Sequence, residues 1–217
     1  ATDIIQKFPD YYGAYINYAT ILLDKGNLDK ALEISLKAYK LNVQSTTALL
    51  NIGAIYKEKG ILESAEIYTR KALAIDPRII HGKLNLSGIL QEIGKDKEAY
   101  KLAKEVILLE PKNPKSYLNI AGIYQSQGKL DLSEKYLIQC LELNMNEFRA
   151  HFLLSWQKDY INNRKYINHI KSTHESNINS PIHKIDLLFT KANIFHNEKN
   201  YQLASDALIK ANKMKLS

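Results

Sequence analysis

Apolar side chains recur at alternating intervals of three and four along most of this 217-residue chain. In the first clear run they fall at Tyr15, Tyr18, Ala19 and Leu22, and further on at Leu49, Ile52, Gly53 and Tyr56. That spacing keeps them on one face of a helix. Four such runs end at Gly26, Gly60, Gly94 and Gly128, where a glycine can take the left-handed conformation that closes a helix. A second amphipathic stretch follows each glycine, with Leu28, Ala31, Ala38 and Leu41 in one case and Leu62, Ala65, Ala72 and Ile75 in the next. The predicted unit is a helix, a tight turn and a second helix.

The unit repeats. The glycines stand 34 residues apart, as do Ala31, Ala65, Ala99 and Ser133, and again Ala38, Ala72, Val106 and Cys140. Small residues at a fixed register are what two closely approaching helices need, and a period of this length indicates a stacked array. Pro77 and Pro111 close two units at positions where proline is compatible with a helix end and not with a helix interior. A 34-residue hairpin with this Gly, Ala, Ala and Pro pattern resembles the tetratricopeptide repeat (TPR). The resemblance implies an all-α fold, a right-handed superhelical solenoid of stacked antiparallel hairpins. It assigns repeats to 12–45, 46–79, 80–113 and 114–147. Residues 148–184 read as a degenerate repeat: FRAHFLLSWQKDY is helical, INNRK makes a turn without glycine, and HIKSTHESNINSP is a shortened helix running into a loop. Residues 185–217 recover the pattern, with Lys199 in place of the turn glycine. In the third repeat, Lys83 replaces a large apolar residue and Asp96 a leucine, so looser packing is expected there. Ile4, Ile5 and Pro9 fit the end of a preceding repeat in 1–11, which reads the chain as a fragment of a longer protein.

Composition narrows this only slightly. With 45% hydrophobic residues the chain can bury a core. No run approaches the roughly 18 apolar residues of a membrane helix, and the N-terminus lacks a basic-then-apolar leader. A cytoplasmic location is the corresponding expectation. Cys140 has no internal disulfide partner and is expected as a buried thiol. The formal charge is +7, but the lysines are scattered singly, so no nucleic-acid partner is expected.

One polar residue shares the period: Asn17, Asn51, Asn85 and Asn119 occupy the sixth position of the four repeats. In TPR proteins this position faces the concave groove of the array. A carboxamide offers a donor and an acceptor side by side, matching a peptide unit, and the arrangement resembles the asparagine ladder in the TPR region of O-linked N-acetylglucosamine transferase. With stacked helices about 8–10 Å apart and an extended chain rising roughly 3.3–3.6 Å per residue, one asparagine would meet about every third ligand residue. The other role open to these amides is a bond between adjacent hairpins that fixes their angle. Lys57, His81, Gln91, Lys115 and Gln125 would form polar edges of the groove. Apolar fifth positions (Ile16, Leu50, Leu84, Leu118) and the ninth positions (Thr20, Ala54, Gly88, Gly122) would line its floor. They do not match the Lys and Asn of the carboxylate clamp in chaperone-binding TPR domains.

No phosphate loop, nucleophile elbow or HExxH helix is present. His151, His169, His174, His183 and His196 read as ordinary surface histidines and not as a metal site. Tyr56, Tyr117 and Tyr124 read as core. Trp156 is expected to cover an altered hairpin junction. The sequon at Asn85 lies inside a predicted helix and is discounted. These readings make the segment a non-catalytic interaction module for an extended peptide or a partner helix, with no cofactor. The terminal stretch from Lys184 to Lys215 is similar to the last repeat before the catalytic domain of TPR-linked bacterial sulfotransferases, which implies the alternative of a substrate-recruiting arm. A self-assembling scaffold, a homo-oligomer joined through exposed terminal helices, is the third reading.

Overall fold

In the computed structural model, residues 2–157, 160 and 163–216 are described. They are helical, and they form two compact units, Ala1–Pro111 and Lys112–Ser217. The first contains α1 (Thr2–Lys7), α2 (Tyr12–Asp24), α3 (Leu28–Leu41), α4 (Thr46–Glu58), α5 (Leu62–Ile75), α6 (Ile80–Ile93) and α7 (Asp96–Leu109). The second contains α8 (Pro114–Ser126), α9 (Leu130–Leu143), α10 (Phe148–Leu154), α11 (Arg164–Ser172), a single 3-10 turn (Glu175–Asn177), α12 (Pro181–Asn197) and α13 (Tyr201–Leu216). Helices α2/α3, α4/α5, α6/α7, α8/α9 and α12/α13 pack as hairpins. No helix among the described residues is long and apolar enough to cross a membrane.

The helix ends follow from local chemistry. Gly94 has φ 85°, and the Lys95 amide donates to the Leu90 carbonyl at 2.8 Å, the bond that seals a left-handed C-terminus. Ser45 accepts from the Ala48 amide at 3.2 Å at the start of α4. Pro114 and Pro181 sit in the first turns of α8 and α12, each behind a capping Asn113 or Ser180.

The small-residue register is buried throughout. Ala31, Ala65, Ala99, Ser133, Ala38, Ala72, Val106 and Cys140 are inaccessible to solvent. At Gly53 in α4 an added methyl would collide with Thr69 Oγ1 and lie 3.3 Å from the Ala65 carbonyl, so α4 and α5 touch backbone to side chain. The apolar stripes are shorter than their pattern suggests. Leu41 and Ile75, at the last turns of α3 and α5, are exposed, because each helix ends before a neighbour can cover them. Tyr56 stacks on Tyr68 and Tyr124 is tilted against Tyr136, each pair with ring centroids 5.6 Å apart, in keeping with their place beside the core.

The third hairpin is tied by polar contacts where looser packing was expected. Lys83 on α6 meets Glu105 on α7 at 2.9 Å, and Ser87, at the register position of Ala19 and Gly53, donates to the Ala99 carbonyl at 2.8 Å. Between hairpins, Arg70 on α5 binds Glu98 on α7 through two nitrogens at 2.9 and 2.8 Å, and Glu66 accepts from both Arg70 and Lys95.

Residues 148–184 depart from the hairpin. α10 has seven residues, against 13 or 14 in α2, α4, α6 and α8. Residues 158, 159, 161 and 162, part of the expected helix end and turn, lie outside the described residues. α11 begins at Arg164, within the INNRK stretch expected as a turn, and the 3-10 turn Glu175–Asn177 follows it. Between α12 and α13, Lys199 takes the glycine's place with φ 61°. A side chain there costs roughly 1–2 kcal/mol. Lys199→Gly is therefore expected to raise stability by about 1 kcal/mol, measured as an increased urea midpoint at unchanged slope.

Candidate functional site

In the first unit, α2 packs beside α4 and α4 beside α6, which places Asn17, Asn51 and Asn85 at one register on three neighbouring helices. Their environments differ. The Asn51 amide nitrogen donates to Thr20 Oγ1 at 3.2 Å, and Thr20 in turn donates to the Ile16 carbonyl at 3.1 Å. Asn51 therefore bridges two hairpins, which is the structural role. Asn17 is exposed and Asn85 half-exposed, and neither carboxamide has a hydrogen-bond partner among the described residues. Their donors and acceptors are open to a ligand.

The surrounding positions are partly as expected. Lys57 on α4 forms an ion pair with Glu92 on α6 at 3.2 Å, so this edge is spanned by a charged link. His81 is exposed and Gln91 half-exposed on α6. The fifth positions do not form an open floor in α4 and α6. Leu50 and Leu84 are only 8% and 5% exposed, because Leu50 packs against the backbone at Gly82. Gly88 is likewise buried, while Thr20 is exposed and Ala54 half-exposed. The accessible surface is therefore polar, carried by the asparagines and Thr20.

In the second unit, Asn119 lies half-exposed on α8, with Lys115 exposed and Gln125 half-exposed on the same helix, and Leu118 and Gly122 half-exposed beside them. Leu153 and Thr190 hold the sixth positions further along. An amide outside the recognised register supplies the inter-helix bond there: Asn193 on α12 donates to Ser155, at the end of α10, at 2.8 Å. Asn193 stands at the ninth position of 185–217, the position Thr20 holds in 12–45, and that correspondence was the available signal.

The same unit holds an aromatic group that the asparagine register does not reveal. Phe152 on α10 meets Trp156 edge-on at 6.1 Å and Phe189 on α12 at 5.8 Å. Arg149 lies over the Phe152 ring at 5.1 Å and pairs with Asp186 at 3.2 Å. Trp156 is 67% exposed and so does not cover a hairpin junction. Arg149, Phe152 and Trp156 fall at the second, fifth and ninth positions of 148–184.

Among the described residues there is no group of three or more His, Cys, Asp or Glu side chains placed to hold a metal ion. Cys140 is buried, and burial, with the Glu147 charge beside it, holds its thiol well above the usual range. His151 is the correction to the expectation of surface histidines. It is fully buried at the fourth position of its repeat, where Tyr15, Leu49 and Tyr117 stand in others. Its Nε2 lies 2.9 Å from the Met145 carbonyl, which can only accept, so Nδ1 is left to accept from the Tyr160 hydroxyl at 3.1 Å. His169 stacks against it at 5.7 Å. His183 and His196 lie against the rings of Phe148 and Tyr201, and His174 is exposed. Two shallow depressions of about 520 and 470 Å³ lie along α9 and its preceding turn, and none of the asparagines lines them.

Paired helices with recurrent closing glycines and a buried small-residue seam define a helical-repeat fold. The TPR family profile matches residues 12–42, 46–79 and 114–146, and the chain carries tetratricopeptide repeats. The profile leaves out 80–113, the repeat in which Lys83 and Asp96 depart from the pattern. Solved structures with the same fold include a TPR protein from Parabacteroides merdae (18% identity, 98% of this chain and 83% of that one, TM-score 0.69). Others are PilF of Pseudomonas aeruginosa (20% identity, 94% and 91%, TM-score 0.63) and YrrB, described as a TPR protein with an unusual peptide-binding site (19% identity, 95% and 96%, TM-score 0.56). No curated protein sequence matches the chain.

The buried imidazole generates a pH prediction. Burial, with the His169 ring nearby, pushes His151 from 6.5 down to about 4, the Met145 carbonyl offsetting this only in part. A depressed folded value means that the unfolded chain takes up the proton first. The stabilisation is complete above about pH 6.5 and is lost as pH falls towards 4, at up to about 1.4 kcal/mol per unit. Urea unfolding from pH 7.5 to 4.5 should show this loss, and the His151→Leu/Tyr160→Phe double variant should show a smaller one.

Proposed function

We propose that the α2/α4/α6 face of the first unit binds the main chain of an extended peptide, and that the protein is a peptide-binding interaction module. The observation that carries this reading is the pair of carboxamides at Asn17 and Asn85, at equivalent positions on either side of Asn51 and without partners among the described residues. A carboxamide can accept from a ligand N–H and donate to its carbonyl, so it holds a backbone with little regard to side-chain identity. Asn51 links α2 and α4 through its nitrogen on Thr20. His81 and Gln91 supply further polar groups, and Lys57 contributes through its link to Glu92. On α8, Asn119, Lys115 and Gln125 repeat the same residue types in the second unit. The peptide-binding site for which YrrB is described supports the reading at the level of the shared fold.

The two kinds of asparagine separate in experiment. A ten-residue peptide selected from a displayed random library serves as probe. Asn17→Ala combined with Asn85→Ala should weaken its binding about tenfold, the scale of two net hydrogen bonds, with circular dichroism and the urea midpoint unchanged. Asn51→Ala should lower stability by about 1 kcal/mol as well. Unaltered affinity in the double variant would exclude this face as the binding surface.

A further inference from the structure

We propose that the face shared by α10 and α12 is a second recognition site, for an acidic peptide segment carrying an aromatic side chain. It uses none of the asparagines of the first unit, so the two readings stand or fall separately.

The first observation is an aromatic surface left open. Phe152 stands between Trp156 at 6.1 Å and Phe189 at 5.8 Å, and Trp156 is 67% exposed. A large ring held edge-on against another and still open to water offers a partner ring a ready stacking surface. The bond from Asn193 to Ser155 fixes α12 against the end of α10 and holds the three rings in place.

The second observation is the charge beside those rings. The Arg149 side chain is 51% exposed and engages Asp186 through one nitrogen, Nη1. A guanidinium carries five N–H donors, so a fork remains for a ligand carboxylate in the geometry arginine favours. Among the described residues, the carboxylates of Glu147 and Asp186 beside it are buried, at 7% and 5% exposed, while the Arg149 side chain is half-exposed. The net charge of the chain is also unevenly placed. Residues 1–111 contain 15 Lys and Arg against 14 Asp and Glu, whereas 112–217 contain 15 against 9. The second unit thus holds almost all of the positive balance, and an acidic partner is drawn to it. A nucleic acid would need a row of free cations along its backbone. Instead Lys171 is paired with Glu198, Lys210 with Glu175, and Lys191 donates to the Thr173 carbonyl.

Trp156 is the one tryptophan in the chain, so its emission reports on this site alone. The probe is a short synthetic peptide rich in glutamate with phenylalanine at every third residue, titrated into the full chain. Its glutamine counterpart and single-stranded oligothymidylate are titrated in parallel. The expected result is a saturable blue shift with the glutamate peptide, at least about tenfold weaker with the glutamine peptide, as loss of a charge-assisted bond implies. With a labelled glutamate peptide followed by anisotropy, Arg149→Gln and the exposed-site variant Trp156→Ala should each weaken binding about tenfold, while Asn85→Ala leaves it unchanged. Circular dichroism confirms that each variant is folded. Three results would each overturn the proposal: no saturable shift, equal binding of the glutamine peptide, or tighter binding of the oligonucleotide.

Discussion

The structure depends on how closely the two helices of each hairpin approach. Ala31, Ala65, Ala99 and Ser133 are buried completely against the preceding helix, and at Gly53 there is no room for a methyl beside Thr69 and Ala65. Larger side chains at this seam would push the helices apart, since interiors are packed to the density of organic crystals. Because the seam recurs at a constant 34 residues, each hairpin sets its first helix at the same rotation about its own axis. The sixth positions of α2, α4 and α6 therefore share one register, although the asparagines there differ in exposure and partners. The polar face follows from the packing constraint and does not have to be built separately.

Much of this was readable from the pattern of residues. The glycines that close α2, α4, α6 and α8 do take positive φ, at 75°, 72°, 85° and 70°, because no other residue meets that demand as cheaply. The seam positions are determined by size, and size is visible in a sequence. What escaped detection was set by the partner surface. Leu50 and Leu84 are apolar at groove positions, and only the approach of the next hairpin decides that they are covered. His151 reads as a polar residue until Met145 and Tyr160 satisfy both ring nitrogens and make it a core side chain. Asn51 is indistinguishable in sequence from Asn17 and Asn85. Its bridging role depends on Thr20, 31 residues earlier, being placed within 3.2 Å.

The degenerate region is where the chain exchanges regularity for different chemistry. Ending α10 at Leu154 releases Trp156 from the packing that a continued helix would impose, while Phe152 and Arg149 keep their positions on the helix. Asn193 then replaces the missing sixth-position amide as the link between α12 and α10. The first unit presents amides at a fixed register and is close to electrically balanced. The second carries the exposed Trp156 beside Phe152 and Arg149, and holds most of the positive balance.

The claim on which the rest stands is that the seam, and not helix propensity, governs each hairpin. The substitution Gly53→Ala, followed by urea unfolding, tests it through the sign of the change. Propensity alone predicts a gain of about 1 kcal/mol, because alanine is the better helix former. A closed seam predicts a loss of about 1–3 kcal/mol from overpacking against Thr69 and the Ala65 carbonyl. A lowered midpoint at unchanged slope is the expected result, and a midpoint equal to or above that of the parent chain would contradict the account.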